Sequence, residues 1–427
     1  MKKTSVPRTP SRRTPRAPEQ PLSDSRRART EPVEGAKGEP EVTAEPPERQ
    51  SNGEAPPSIE DTQPSRPVPR PPAPEGAAPE QPLERPLSEV EGRRAKGEIP
   101  EITVQQFRDL AAAIEAEVGK VIVGQADVVR HVLSCIIAGG HALLEGVPGL
   151  GKTMLIKTLA EALDLQFSRI QFTPDLMPAD IVGTDILEET GDGRRQFRFQ
   201  PGPVFANLVL ADEINRATPK TQSALLEGMQ EHAVTVAKRT YKLDEPFFVL
   251  ATQNPIEMEG TYPLPEAQLD RFLFKVNVDF PSSGELVEIL ARTTGRQSPA
   301  AGKAASGAQI LGMGRLARQI PAASHVAEFV ARLVVASHPD HESAPPMVKQ
   351  FLRYGASPRG AQALILGAKI TALFAGRLNV AFDDVAAVAP AALRHRLLLN
   401  FEGQAEGVTT DAVIQELLKS VPEIIDC

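Results

Sequence analysis

The chain has 427 residues, more than one hydrophobic core usually organises, so two folded units and an additional segment are expected. Residues 1–98 hold 20 of the 40 prolines, lack Phe, Tyr and Trp, and carry 17 basic and 17 acidic side chains. Such a composition excludes a folded domain, because it cannot bury enough apolar surface to offset the chain entropy lost on folding. We therefore predict a disordered, Pro-rich N-terminal tail.

The formal charge of −8 belongs to residues 99–427, since the tail is neutral overall. This part of the chain lacks the global basic field that is typical of nucleic-acid-binding proteins. Residues 1–30 contain nine Lys or Arg and two acidic residues. This segment is either an arm that binds RNA, DNA or an acidic partner, or a solvated low-complexity leader without a binding role. The sequence shows no signal-peptide pattern and no apolar run of roughly 18 residues. Cys135 and Cys427 indicate neither a disulfide framework nor a metal site, so we expect a cytoplasmic protein without a membrane span.

Order is predicted to begin near Ile102, where Thr103 and Gln106 form a capping-box pattern. Apolar residues then recur at helical spacing from Phe107 to Val118. A second helical pattern follows and ends at Gly139. The apolar faces of these two helices are expected to lie in the core.

From His141 to about Phe280, short apolar runs alternate with helical segments, which is typical of a parallel α/β sheet. An additional segment, residues 181–205, alternates polar and apolar residues and is predicted to be a hairpin with its turn at Gly191-Asp192-Gly193. The strands of the sheet are predicted at residues 142–144, 167–171, 207–211, 247–252 and 274–278.

Residues 282–309 are rich in Ser, Gly and Ala and are predicted to be a linker that contains a short helix. The remaining sequence is rich in Ala and Leu with few strand formers, which favours a small all-helical second domain. Its helices are expected at residues 308–337, 359–376, 383–396 and 410–419. The predicted organisation is a tail (1–98), an α/β core (99–281), a linker (282–309) and a helical domain (310–427).

Residues 146–153, Gly-Val-Pro-Gly-Leu-Gly-Lys-Thr, match the phosphate-binding pattern GxxxxGK[ST] between a predicted strand and a predicted helix. The glycines let backbone N–H groups turn toward phosphates, and the helix N-terminus adds a favourable dipole. Lys152 is expected to reach the β and γ phosphates of ATP, and the Thr153 hydroxyl to ligate Mg²⁺. The predicted nucleotide-binding residues are Gly146, Pro148, Gly149, Gly151, Lys152, Thr153 and Met154.

Two of the predicted strands end in polar side chains that would complete this chemistry. Asp212 and Glu213 follow one strand, and Asn254 follows another. Because the carboxyl ends of neighbouring parallel strands meet at the ligand crevice, Asp212 is expected beside Mg²⁺. Glu213 would orient and deprotonate the attacking water, and Asn254 would hold that water against the γ phosphate. A solvated strand end and an Asn-Pro turn are the alternative explanations of these residues.

Hydrolysis of ATP also needs positive charge at the γ phosphate, which an arginine of a neighbouring subunit can supply. Arg271 and Arg359 are the best candidates, and Arg216, just past the acidic pair, is a third. Each of them could instead form a surface ion pair that contributes little.

The segments GVPGLGKT, LADEINRA, ATQNP, GTYPLPEAQLDRF and GASPRGA occur in this order, and together they resemble the MoxR family of AAA+ ATPases over about residues 100–425. The resemblance implies Walker A at 146–153, Walker B at 208–213, sensor 1 at Asn254, an arginine finger at Arg271 and sensor 2 at Arg359. The predicted hairpin corresponds to the helix-2 insert of that branch, and the helical domain to its lid. The Pro-rich tail departs from the compact family pattern.

The resemblance further implies a homo-oligomeric ring, commonly a hexamer, with ATP between subunits. It implies a chaperone-like task on an unidentified client, such as remodelling, maturation of a complex or insertion of a metal or cofactor, usually with a von Willebrand factor A domain partner. Two alternatives stay open: a nucleotide-gated scaffold with negligible turnover, and a P-loop ring that acts on nucleic acid, which the acidic folded part disfavours.

Overall fold

The computed structural model describes residues 98–189, 195–254, 261–295 and 299–424. All of them belong to one compact unit. The predicted tail (except residue 98), the predicted turn at residues 191–193 and Cys427 lie outside the described residues. The predicted domain boundaries remain a prediction.

The secondary structure elements are numbered in chain order. The strands are β1 (Ala142–Glu145), β2 (Phe167–Gln171), β3 (Gly183–Glu189), β4 (Arg195–Pro201), β5 (Leu208–Asp212), β6 (Ala233–Val236), β7 (Arg239–Lys242), β8 (Phe248–Gln253), β9 (Phe274–Asn277), β10 (Leu352–Tyr354) and β11 (Leu398–Leu399). The helices are α1 (Val104–Val121), α2 (Ala126–Ala138), α3 (Lys152–Ala162), α4 (Pro178–Val182), α5 (Pro219–Glu231), α6 (Glu266–Leu269), α7 (Ser283–Thr293), α8 (Gly307–Gln319), α9 (Ser324–Ala336), α10 (Pro346–Phe351), α11 (Pro358–Phe374), α12 (Phe382–Leu393), α13 (Phe401–Ala405) and α14 (Thr410–Ser420).

Five parallel strands form the central sheet in the order β2-β5-β8-β1-β9. Strand β5 shows why these segments form buried strands: Leu208 and Leu210 lie in one hydrophobic core, and Val209 and Ala211 lie in the other. The three inner strands β5, β8 and β1 are covered on both faces and are therefore apolar almost throughout, whereas the outermost strands β2 and β9 also carry polar residues. The five predicted strands are confirmed to within one residue at each end.

The predicted hairpin is confirmed as the antiparallel pair β3 and β4, which joins Gly183 to Pro201 and Glu189 to Arg195. The capping box is also confirmed, because the Gln106 N–H donates to Thr103 Oγ1 at 3.2 Å and the Thr103 N–H donates to Gln106 Oε1 at 2.9 Å. The antiparallel pair β6 and β7 was not among the predictions.

The second domain is helical as predicted, but in place of the single helix at residues 308–337 the structure has α8 and α9. Pro321 causes the break, because a proline cannot donate a backbone hydrogen bond and restricts the preceding residue to extended conformations. Ile320 is accordingly extended, with φ −64° and ψ 126°. The domain also contains the short helices α10 and α13 and the small antiparallel pair β10 and β11, which were not predicted.

A buried ion pair joins the central sheet to the helical domain. Arg396 Nε donates to Asp270 Oδ1 at 2.8 Å, and its other nitrogens donate to main-chain carbonyl oxygens that include those of Phe272 and Leu273. Ser357 Oγ donates to the same carboxylate oxygen at 2.8 Å, and Arg359 Nη1 lies 3.8 Å from Asp270 Oδ2. The Arg396 side chain is 2% exposed, so its charge depends on Asp270 for compensation.

Substitution of Asp270 by Asn should therefore destabilise the fold. The change keeps the side-chain shape but leaves the Arg396 guanidinium buried without a countercharge, so the free energy of unfolding should fall by about 3 kcal/mol. Urea denaturation of the variant measures this loss. The control Glu188→Gln, which removes the exposed pair with Arg198, should cost less than about 1 kcal/mol. Equal losses in both variants would contradict the structural role of Asp270.

The buried histidine His141 makes the stability depend on pH. Its Nδ1 accepts the Val249 N–H at 3.0 Å and its Nε2 donates to the Met229 carbonyl at 2.9 Å, which requires a neutral ring. Burial lowers the pKa of His141 to about 4. Because the folded-state pKa lies below that of the unfolded chain, roughly 6.5, the stabilisation is complete above that pH and is lost as the pH falls toward the folded value.

We expect the free energy of unfolding to drop by up to about 3 kcal/mol between pH 6.5 and 4 on account of His141. Urea titrations at a series of pH values should show this slope in the wild type and in the control His341→Gln, whose ring is exposed. The variant His141→Gln should show a shallower slope. If the free energy of unfolding changes with pH in the same way in all three proteins, His141 is not the cause of the pH dependence.

Candidate active site

The glycine-rich loop, residues 146–153, connects β1 to α3 at the carboxyl edge of the sheet. Gly149 and Gly151 have φ values of 86° and 79°, a left-handed conformation that side chains other than glycine rarely adopt. A Cβ atom at either position would meet no atom within 4 Å, so the loop borders open space there. The loop therefore has the backbone shape and the room to enclose a phosphate group.

A cavity of about 530 Å³ opens beside this loop. Seven of the predicted nucleotide and metal ligands and two of the predicted catalytic residues line it. These lining residues are Pro148, Gly149, Gly151, Lys152, Thr153, Met154, Asp212, Glu213 and Asn254, joined by Lys157, Arg169, Thr252 and Gln253. Gly146 lies at the base of the loop, where its carbonyl accepts a hydrogen bond from the Lys152 ammonium group.

Lys152 provides positive charge inside this cavity. Burial lowers the pKa of Lys152, while the nearby carboxylates of Asp212, Glu213 and Glu145 act in the opposite direction. This combination suits a phosphate ligand that arrives with a divalent metal, because the Lys152 ammonium group can bind the phosphate and the carboxylates can bind the metal.

The Asp212 carboxylate is fixed by two neighbouring strands. Its Oδ1 accepts the Thr252 hydroxyl at 2.7 Å, and its Oδ2 accepts Arg169 Nη2 at 2.7 Å. Arg169 was not predicted from the sequence, although Arg169 and Gln171 alternate with less polar residues on β2 and so share one face of that strand. That alternation, on a strand next to the one that ends in Asp212, was the available signal.

Glu213 lies directly after β5 with φ 55°, in the left-handed region, which turns its side chain away from the strand. Its N–H donates to Thr252 Oγ1 at 2.8 Å. Its carboxylate accepts Gln171 Nε2 at 3.0 Å and Arg216 Nη1 at 2.9 Å. Arg216, the third arginine candidate, thus lies beside Glu213 of its own chain and apart from the other two arginines.

Arg271 and Arg359 do not line the cavity of the glycine-rich loop. They line a second cavity of about 820 Å³, together with the buried Arg396, where the sheet meets the helical domain. Arg271 Nη1 donates to the Leu226 carbonyl at 2.8 Å, and Arg359 lies near Asp270. The structure thus brings the two arginines together but separates them from the other predicted catalytic residues.

The direction of the strands explains this separation. The glycine-rich loop follows the carboxyl end of β1, whereas Arg271 precedes the amino end of β9, which is paired in parallel with β1. A strand rises about 3.3 Å per residue, so the four residues of β9 put Arg271 and the loop at opposite edges of the sheet.

The residues that line the cavity of the glycine-rich loop fit a nucleoside triphosphate with Mg²⁺. The empty space at Gly149 and Gly151, the Lys152 ammonium group, the Thr153 hydroxyl and the Asp212 carboxylate supply an anion cradle and oxygen ligands in one cavity. No group of three or more His, Cys, Asp or Glu in the described part of the chain could hold a metal ion by itself. Mg²⁺ at this site would therefore depend on phosphate oxygens, as it commonly does in nucleotide-binding proteins. The helices within the described residues include none with the length and hydrophobicity of a transmembrane segment.

Comparisons with known proteins agree with this geometry. The sequence model of the family described as "ATPase family associated with various cellular activities (AAA)" matches residues 141–274, and that of the "AAA lid domain" matches residues 346–417. A crystal structure of a putative ATPase from Cytophaga hutchinsonii is similar to this chain with a TM-score of 0.70 and 42% sequence identity, and covers 75% of this chain and 96% of that one.

Two curated relatives carry the family name. Chaperone MoxR1 of Mycobacterium tuberculosis is 45% identical over 305 residues, which are 71% of this chain and 80% of that protein. Protein MoxR of Paracoccus denitrificans is 32% identical over 335 residues, which are 74% of this chain and 96% of that protein. Together with the parallel sheet, the glycine-rich loop and the helical lid, these similarities show that the chain belongs to the MoxR family of AAA+ ATPases.

Proposed function

We propose that this protein hydrolyses ATP to ADP and phosphate with Mg²⁺ as cofactor. The observation that carries the proposal is the convergence of Lys152, Thr153, Asp212, Glu213 and Asn254, from three separate segments of the chain, on one cavity at the carboxyl edge of the sheet. Phosphoryl transfer needs mainly positioning and charge stabilisation, and these side chains provide both.

Each residue has a role that follows from its position. The glycine-rich loop and Lys152 bind the phosphates, and Thr153 with Asp212 holds Mg²⁺, which neutralises phosphate charge when bound. Glu213 removes the proton of the attacking water, and Asn254, buried at the end of β8, orients that water. Arg169 and Thr252 keep the Asp212 carboxylate in place.

We further propose that Arg271 and Arg359 act on the nucleotide of a neighbouring subunit. Both lie at the edge of the sheet opposite to the glycine-rich loop of their own chain, so they are placed for a site formed between subunits. A repeated contact between opposite edges is heterologous, and we propose that it closes into a ring, preferably a hexamer.

The relative named Chaperone MoxR1 supports a chaperone-like use of this cycle. We propose that the protein remodels or matures partner proteins, or assists insertion of a metal or cofactor into them, in the cytoplasm and together with a von Willebrand factor A domain protein. The client is the substrate of this activity and is not identified by the chain itself.

The variant Glu213→Gln tests hydrolysis. It keeps the shape and the hydrogen bonds of the side chain but cannot accept a proton, so steady-state phosphate release should fall by about 100-fold or more while binding of ATP is retained. The control Glu161→Gln alters an exposed carboxylate of α3 and should leave phosphate release unchanged. A wild type with negligible turnover and no response to Glu213→Gln would instead indicate a nucleotide-gated scaffold.

Mixed assemblies test the placement of the arginines. Lys152→Ala and Arg271→Ala should each lower ATP hydrolysis by about 1,000-fold, because each removes one half of every shared site. Mixed in equal amounts, they should recover about a quarter of the wild-type activity, since that fraction of interfaces in a random ring pairs an intact loop with an intact arginine. Phosphate release measured after mixing gives the result. Failure to recover activity would contradict action between subunits.

A further inference from the structure

Helix α7 has an apolar face that nothing in the described part of the chain covers. None of its 11 residues is buried, and Val287 and Leu290 are 68% and 51% exposed. Leu286 lies on the same side of the helix, since residues three and four apart are neighbours on a helix surface. An 11-residue helix is marginal by itself, and an exposed apolar face of this kind marks an interaction site.

The start of α7 lies at the same edge of the sheet as the glycine-rich loop. It follows the carboxyl end of β9, and Glu285 of its first turn is in contact with Gly124. Gln125, which follows Gly124 in the chain, donates from Nε2 to the Leu150 carbonyl of the glycine-rich loop at 3.1 Å. The apolar face of α7 is therefore attached to the nucleotide side of the subunit.

A matching groove lies at the opposite edge, in the cavity that contains Arg271 and Arg359. Helices α9 and α11 form its apolar wall through Ala327, Ile365 and Leu366, and Ala331 is an exposed residue of that wall. The volume of about 820 Å³ accommodates several apolar side chains.

The charges of the two surfaces are complementary. Arg318 and Lys369 line the groove and donate to carbonyl oxygens, and no carboxylate among the described residues pairs with either of them. Glu288 of α7 is half-exposed and flanks the apolar face of that helix, where it pairs with Arg292, and with Glu285 in the first turn the helix keeps a net negative charge. Complementary potentials of this kind fix the register of an interface.

We propose that α7 of one subunit packs into the α9–α11 groove of the next copy of this chain. The orientation rests on the proposed sharing of Arg271 and Arg359 between subunits. The subunit that donates α7 supplies the glycine-rich loop, and the subunit that supplies the groove supplies the two arginines. The contact between α7 and the groove then aligns the glycine-rich loop of one subunit with the two arginines of the next.

Two substitutions break the contact from opposite sides. Leu290→Arg puts a positive charge on α7 against the cationic groove, and Ala331→Arg fills the groove and adds a like charge. Both positions are exposed and arginine is a good helix former, so the subunit should still fold, which thermal unfolding checks. The control Leu378→Arg replaces a leucine that is 61% exposed outside both surfaces.

Analytical ultracentrifugation of the full chain with the slowly hydrolysed analogue ATPγS measures assembly. We expect the wild type and Leu378→Arg to assemble alike, and each groove or helix variant to raise the dissociation constant by about tenfold or more. An equal mixture of Leu290→Arg and Ala331→Arg should form dimers, because the two chains together retain one intact helix and one intact groove. A mixture that stays monomeric, or single variants that assemble like the wild type, would overturn the proposal.

A second mutation in the mixture tests the orientation. Lys152→Ala placed in the Ala331→Arg chain should abolish the ATP hydrolysis of the mixed dimer, whereas Lys152→Ala placed in the Leu290→Arg chain should leave it intact. The reverse result would overturn the proposed orientation. A third outcome is that the mixture forms dimers but neither it nor the wild type hydrolyses ATP. That outcome would overturn the proposed function and would still support the proposed interface.

Discussion

The common direction of the five central strands is the constraint on which the rest of the structure depends. The carboxyl ends of β1, β5 and β8 lie at one edge, so the glycine-rich loop, the Asp212 and Glu213 pair and Asn254 meet there although they are distant in sequence. The same direction puts the amino end of β9, and with it Arg271, at the other edge. No rearrangement of side chains can reverse this, because the parallel backbone pairing of the strands fixes their direction.

The ion pair between Asp270 and Arg396 extends this constraint to the helical domain. Buried ion pairs contribute little net stability, since desolvation offsets most of their attraction. Their geometric effect is larger here, because Asp270 is bonded to Arg271 in the chain and its carboxylate also contacts Ser357 and lies 3.8 Å from Arg359. Asp270 thus links the backbone next to Arg271 to the helical domain that carries Arg359 and Arg396.

The sequence predicts most of the fold and most of the nucleotide cavity, because both depend on short-range patterns. Buried parallel strands read as apolar runs, and the glycine-rich loop and strand-end acids have fixed local spacing. The break between α8 and α9 was missed because an Ala- and Leu-rich pattern outweighed the single signal of Pro321. The contact of Arg169 with Asp212 could not be derived in this way, since it follows from strand order, which local patterns do not encode. The separation of Arg271 from the loop follows instead from the parallel direction of the predicted strands, because Arg271 precedes its strand and the loop follows another.

Separation of the two halves of the site has a thermodynamic consequence. If Arg271 and Arg359 bind the nucleotide of the next subunit, every contact that strengthens nucleotide binding in the assembled state must strengthen assembly by the same free energy. A chain whose formal charge is −8 gains from this arrangement, because the cationic edge of one subunit meets a nucleotide-loaded anionic edge of another, which offsets the general repulsion between acidic copies. In the assembly that we propose, helix α7 adds an apolar contact at the same boundary, so loss of phosphate would weaken the electrostatic part of the interface and leave the apolar part in place. Such an interface could loosen during a catalytic cycle without dissociating, which is the property that the proposed remodelling activity needs.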